Sequence, residues 1–207
     1  MRNFSYILLA LLILTGCSNS QNVRSDYFAF KSKYRLGGYF HLDTKTLTEE
    51  MFSNDHSQSL IDSVYLVPLN LIITTEKDKV WGIKRLSDYD CRLIEFIENQ
   101  NFDCIVTTSF TSTAGSGNPI ILVNTYNKNG KFLSQAKFDF VGQTDYTPVP
   151  KQYFSINKRN KISMETISKN YEIVDSSGVE ILKYINTDYY NEYYSINHDG
   201  LILKQKE

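Results

Sequence analysis

The chain has 207 residues, 42% of them hydrophobic, and 22 Lys and Arg against 23 Asp and Glu leave a net charge of −1. That balance excludes a nucleic-acid-binding protein, which presents a basic face, and it excludes a polybasic patch as a membrane anchor. The apolar fraction suffices for one core, and 15 Tyr and 12 Phe against a single Trp favour strands over helices.

Residues 1–17 read MRNFSYILLALLILTGC. Arg2 supplies a short positive n-region and Tyr6 to Leu14 an apolar h-region. The segment is shorter than the roughly 20 residues a transmembrane helix needs, so the layout is that of a secretory signal. Its end, Leu14-Thr15-Gly16-Cys17, resembles the lipobox of bacterial lipoproteins at all four positions. The resemblance implies cleavage before Cys17, diacylglycerol in thioether linkage to its thiol, and acylation of the new amine. Three acyl chains, at about 0.8 kcal/mol per buried methylene, would hold such a protein firmly on a membrane. In lineages that sort lipoproteins by the next position, Ser18 implies export to the outer membrane. The expected organisation is a signal peptide over 1–16, lipidated Cys17 with a polar tether over 17–25, and a single β-rich domain over 26–207. The expected location is the bacterial cell envelope, lipid-anchored, at the outer membrane.

The run YFAFKSKYRLGGYFHLD (27–43) reads as one or two short strands around a bend at Gly37-Gly38. Thr46 followed by Glu49 makes a capping box for a short helix within 44–58. VYLVPLNLIITT (64–75) is strand-like, with Pro68 marking an edge or bulge, and KVWGIKRL (79–86) follows across a charged turn. Residues 88–98 fit either a capped helix or a strand that turns at Asn99-Gln100 into FDCIVTTSF (102–110). A strand is preferred, because everything downstream reads as hairpins. A Cys91–Cys104 disulfide depends on the same choice. In the hairpin Cys91 falls opposite Thr108 and Cys104 opposite Glu95, on one face but about 13 Å apart along the strand. Disulfide Cα separations end near 7 Å, so a bridge requires 88–98 to be helical.

Downstream one unit recurs, an Asx-x-x-Gly or Asx-x-x-Asn turn between aromatic and β-branched runs: 127–130, 157–160, 175–178 and 197–200. Asn or Asp at the first position accepts from nearby amides, and Gly or Asn at the fourth tolerates a left-handed conformation. The expected fold is mainly β, an antiparallel up-and-down meander forming a barrel or two-sheet sandwich, with at most one or two short helices. With further connections at 168–170 and 187–191, the meander places all four tight turns at one end. The longer connections 111–118 and 141–150 then join those two at the other. Binding groups concentrate on longer loops held by a rigid sheet, so the candidate binding residues are Thr113, Ser116, Asn118, Gln143, Asp145, Tyr146, Tyr189, Tyr190 and Asn191.

The pattern names no catalytic residue, metal site or cofactor. Ser116 lies in a Gly-rich loop between strands, whereas a nucleophile elbow needs Gly-x-Ser-x-Gly between a strand and a helix. His41, His56 and His198 make no three-ligand set. The expected function is that of a lipid-anchored envelope lipoprotein acting as a non-enzymatic binding or accessory module for an envelope protein or glycan. The alternatives are a hydrolase of envelope polymers, or an inhibitor or immunity lipoprotein that blocks a lytic enzyme.

Overall fold

Two antiparallel four-stranded sheets carry the chain, in a computed structural model that describes residues 23–34, 60–72, 89–111, 120–139, 150–176 and 179–206. The first sheet holds β1 (Tyr89–Glu98), β2 (Phe102–Thr111), β3 (Ile120–Asn127) and β4 (Phe132–Asp139) in sequential order. The second holds β5 (Lys151–Ile156), β6 (Lys161–Ser176), β7 (Val179–Ile196) and β8 (Ile202–Lys204), again in order. Of the two closures open to the sequence, the chain takes the sandwich. Ile97, Val106, Ile121, Val123 and Phe138 of the first sheet meet Phe154, Ile156, Ile162, Met164 and Ile196 of the second.

The other face of the first sheet is covered as well. Helix α1 (residues 23–33) and the segment 60–72, which contains the single-turn helix α2 (Ser63–Leu66), bury Tyr27, Phe30, Leu66, Leu69 and Leu71 against Leu93, Phe96, Ile105 and Tyr126. Strands β2 and β3 are therefore buried on both sides, which is why ILVNTY of β3 is closed to solvent without polar alternation. Thr125 and Asn124 bury their polar groups by hydrogen bonding, Thr125 Oγ1 to the Gly200 carbonyl at 2.6 Å and Asn124 Nδ2 to the Asn70 carbonyl at 2.7 Å.

Two sequence expectations are corrected here. Residues 27–34 are helical up to 33, not strands, and 23–25 belong to α1 instead of the tether. Tyr27, Phe30 and Tyr34 stand at i, i+3 and i+7, a helical stripe that aromatic content alone disguised. Residues 63–70 form a helical turn and a tight reversal, not a strand; Leu71 N donates to Leu66 O at 2.8 Å and Asn70 takes a φ of +50°. The short helix expected within 44–58 and the strand over 79–86 lie outside the described residues.

Residues 89–98 are a strand, as preferred, and Cys91 and Cys104 are both buried and not joined in a disulfide. The register differs from expectation. Cys91 pairs with Ser109 and Cys104 with Ile97, and a bulge between Leu93 and Glu95 shifts the alternation. The two thiols consequently lie on opposite faces of the sheet, Cys91 under α1 and Cys104 in the sandwich core. Burial, reinforced by Asp103 and Glu95, pushes the Cys104 thiol up to about 12.

Three of the turns form as read. In each the Asn side chain (127, 157, 197) accepts amides two and four residues on, and the fourth residue has a positive φ: +81° at Gly130, +57° at Asn160, +82° at Gly200. Gly130 is also a packing requirement, because a Cβ there would stand 2.6 Å from the Tyr27 ring. The fourth turn is displaced. Strand β6 runs unbroken from Lys161 to Ser176 and β7 from Val179 to Ile196, so 168–170 and 187–191 are strand, not connections. Removing those two reversals puts the 175–178 turn at the opposite end from the other three.

Candidate functional site

Continuity of β6 and β7 creates an arm. Strand β5 pairs with β6 only as far as Ile167, and β8 pairs with β7 only over Tyr194–Ile196. Beyond those limits the hairpin is a two-stranded ribbon, about 30 Å long over residues 168–176 at about 3.3 Å per residue. No side chain described between Glu165 and Ser195 is buried.

The ribbon has two different faces. Ile162 and Met164 point into the sandwich core, so the even-numbered residues of β6 face the first sheet and the odd ones face away. Register then places Ile167 beside Tyr189, Tyr171 beside Tyr184 and Ile173 beside Leu182 on the outward face. The Tyr171 and Tyr184 rings meet edge to face at 5.8 Å. Ile173, Leu182, Tyr184 and Tyr189 are 48–69% exposed. This stripe therefore leaves to water a surface that sheets normally cover.

The inward face is mostly polar. Asn170 Nδ2 donates to Asn186 Oδ1 at 2.8 Å and to Asp188 Oδ2 at 2.7 Å, and Lys183 bridges Glu172 at 3.0 Å. Where β8 stops, an open groove of about 930 Å³ runs beside β7, lined by Tyr189, Asn191, Tyr193, Lys204 and Gln205 among others. A second groove, of about 470 Å³ on the outward face, brings together Ser155, Ser163, Tyr193, Ser195 and Gln205; the Ser155 and Ser163 hydroxyls are 2.7 Å apart.

A different set of charges secures α1. Asp103 is fully buried beneath the helix, accepting from the Tyr27 hydroxyl and the Lys128 ammonium, and from Lys31 Nζ at 2.9 Å. Burial raises its pKa, but Lys128, Tyr27 and Lys31 outweigh that and hold the carboxyl below its ordinary range. The Tyr27 phenol is pushed up by burial and by Asp103. Glu95 sits in the sandwich with its pKa raised by burial, against a lowering contribution from the Phe96 backbone amide. These groups make a structural lock and a buried acid. Among the described residues no three His, Cys, Asp or Glu side chains are grouped to hold a metal ion.

Of the residues singled out in the sequence, Tyr189, Tyr190 and Asn191 fall on β7, in the arm; the expectation that they belong to a loop is corrected. Cys17, Thr113, Ser116, Asn118, Gln143, Asp145 and Tyr146 lie outside the described residues, as do His41 and His56. His198 is exposed in its turn, with Nε2 2.7 Å from Asn101 Nδ2. Sequence reading missed Ile173, Leu182 and Tyr184. Their signal was present: YEIV and VEILKYI flank one tight turn and offer more apolar side chains than one face of a hairpin can bury. No known protein family matches the chain, and no curated protein or solved structure matches it either.

Proposed function

We propose that the protein is a lipid-anchored envelope lipoprotein and a non-enzymatic binding module that presents the β6–β7 arm to a protein partner. The observation that carries this reading is the outward stripe of Ile173, Leu182, Tyr184 and Tyr189, exposed along a ribbon that no other strand pairs with beyond Ile167 among the described residues. An isolated two-stranded ribbon is marginal in water, and exposed contiguous apolar surface marks an interaction site. Aromatic residues mixed with aliphatic ones suit the core of a protein interface. The lipobox-like Leu14–Cys17 supports membrane attachment, with α1 as the first described element after it.

The test is cross-linked capture from intact envelopes with the full chain and with the variant Ile173→Ser/Leu182→Ser/Tyr184→Ser, both checked by urea unfolding. The expected result is a protein recovered with the wild type and lost with the variant at an unchanged midpoint. The same partner recovered with both would contradict the reading.

A further inference from the structure

The arm offers a backbone edge as well as a face. Ile196 N donates to Asn160 O, on the β6 side, while Tyr193 O accepts from Gln205 N, in the lane of β8. Successive residues of a strand direct their amides to alternate sides. Tyr193, Asn191, Tyr189 and Thr187 therefore aim N–H and C=O into the β8 lane, while Tyr190 and Asp188 bond to β6. Strand β8 fills that lane for only three residues, and among the described residues no other strand follows it. The groove beside Tyr189 and Asn191, with Lys204 and Lys206 at its β8 end, continues the lane and is open among the described residues.

Charge identifies what fits. Residues 168–191 carry four acids (Glu172, Asp175, Glu180, Asp188) against two lysines (Lys169, Lys183), and Glu192 just beyond is paired with Lys204. The arm is therefore −2 within a chain of −1, and a second copy of the arm in the lane would set like charge against like. Asp188 is held by the amides of Asn170 and Asn186, both neutral donors. It also occupies a position whose backbone faces β6, which in the open lane makes a narrow, non-hydrogen-bonded pair with side chains close together.

Resting on the reading of the arm as the docking surface, we propose that it binds its partner by strand addition. A cationic, extended segment of the partner protein pairs antiparallel with β7 over Thr187–Asn191 and continues the lane of β8. A Lys or Arg of that segment lies opposite Asp188, and the apolar residue next to it lies opposite Tyr189. Main-chain bonds supply affinity in this mode and alternate side chains supply selectivity.

The experiment is amide hydrogen exchange on the full chain in detergent micelles, titrated with a nine-residue peptide of alternating Lys and Val and, separately, one of alternating Glu and Val. Strand addition predicts roughly tenfold slower exchange at Thr187, Tyr189 and Asn191 with the Lys peptide, and no change at Tyr190, already bonded to β6. The Glu peptide should give no protection, and Asp188→Lys should abolish the effect of the Lys peptide. An unchanged urea midpoint for Asp188→Lys shows that the loss follows from charge in the lane and not from misfolding.

Binding of the Lys peptide without the alternating protection would overturn strand addition and leave the arm's outward face as the docking surface. Equal protection by the Glu peptide would overturn the cationic partner. Protection at those amides without peptide, growing with protein concentration, would replace the partner with a second copy. Loss of capture by the outward-face variant together with no response to any peptide would overturn strand addition alone.

Discussion

Strands β2 and β3 on one side and the distal part of β6 and β7 on the other are the same kind of element with opposite surroundings. Ile105, Val106, Leu122 and Val123 are fully buried, covered by α1 and residues 60–72 on one face and by the second sheet on the other. Ile173, Leu182 and Tyr184 are about half exposed on a ribbon with nothing over either face among the described residues. Both segments carry aliphatic and aromatic side chains, so the presence of apolar residues does not separate them. What separates them is whether the neighbouring elements reach that far: β5 ends opposite Ile167 and β8 is three residues long. The difference teaches that, among the described residues, how far the neighbouring elements reach decides which apolar strand segments are buried.

The sharpest break in that comparison is a matched pair of truncations. Ile105→Ala should cost about 4 kcal/mol, the range for emptying a buried aliphatic site. Ile173→Ala should cost no more than about 0.5 kcal/mol, as at an exposed site. Urea unfolding of both variants measures the contrast, and similar losses would mean that the arm is part of the cooperative core.

Next in size is the lock beneath α1. Asp103→Ala should destabilise by about 3 kcal/mol, toward the lower end for breaking a buried ion pair, because Lys31 and Lys128 are exposed enough to regain water. Its pH dependence has a definite sign. The depressed carboxyl stabilises the fold above the ordinary Asp range, and that stability is lost as pH falls through the folded-state value. An acid-unfolding curve that is shallower in the Asp103→Ala variant would support this, and an unchanged curve would refute it. Gly130→Ala should follow at about 2 kcal/mol, since it combines a positive φ with a Cβ 2.6 Å from the Tyr27 ring.

The smallest effect belongs to Glu95. Its pKa is raised by burial, so its contribution is fully present below the ordinary Glu value and is lost as pH rises through the folded-state value. Glu95→Gln should therefore raise the unfolding midpoint at neutral pH and have less effect in acid. Thermal melts at pH 7 and pH 4 measure both, and a midpoint lowered at pH 7 would show that the charge is needed.

Much of this architecture was legible before the structure. The turns at Asn127, Asn157 and Asn197 follow from local chemistry, in which a short polar side chain caps a reversal that Gly or Asn completes, and sequential hairpins imply sequential strand order. What escaped depended on distant partners. Tyr27, Phe30 and Tyr34 make a helical stripe only because the first sheet offers a second face to cover. The extra residue at Ile94, set by sandwich packing, sends Cys91 and Cys104 to opposite faces. Asn170 and Asn186, with the irregularity at Ile185, look like turn residues but pair across a continuous ribbon. Reading them as turns moved Tyr189, Tyr190 and Asn191 from a strand into a loop.

The most direct test of the division between core and arm is to delete residues 168–188 from the full chain. Ile167 and Tyr189 are register partners, so a two-residue turn can join them without shifting the rest of the sheet. The urea midpoint and cross-linked capture from envelopes would then be measured on the same preparation. The account predicts a stability within about 0.5 kcal/mol of the intact chain and complete loss of the captured partner. Failure to fold, or capture of the same partner without the arm, would contradict it.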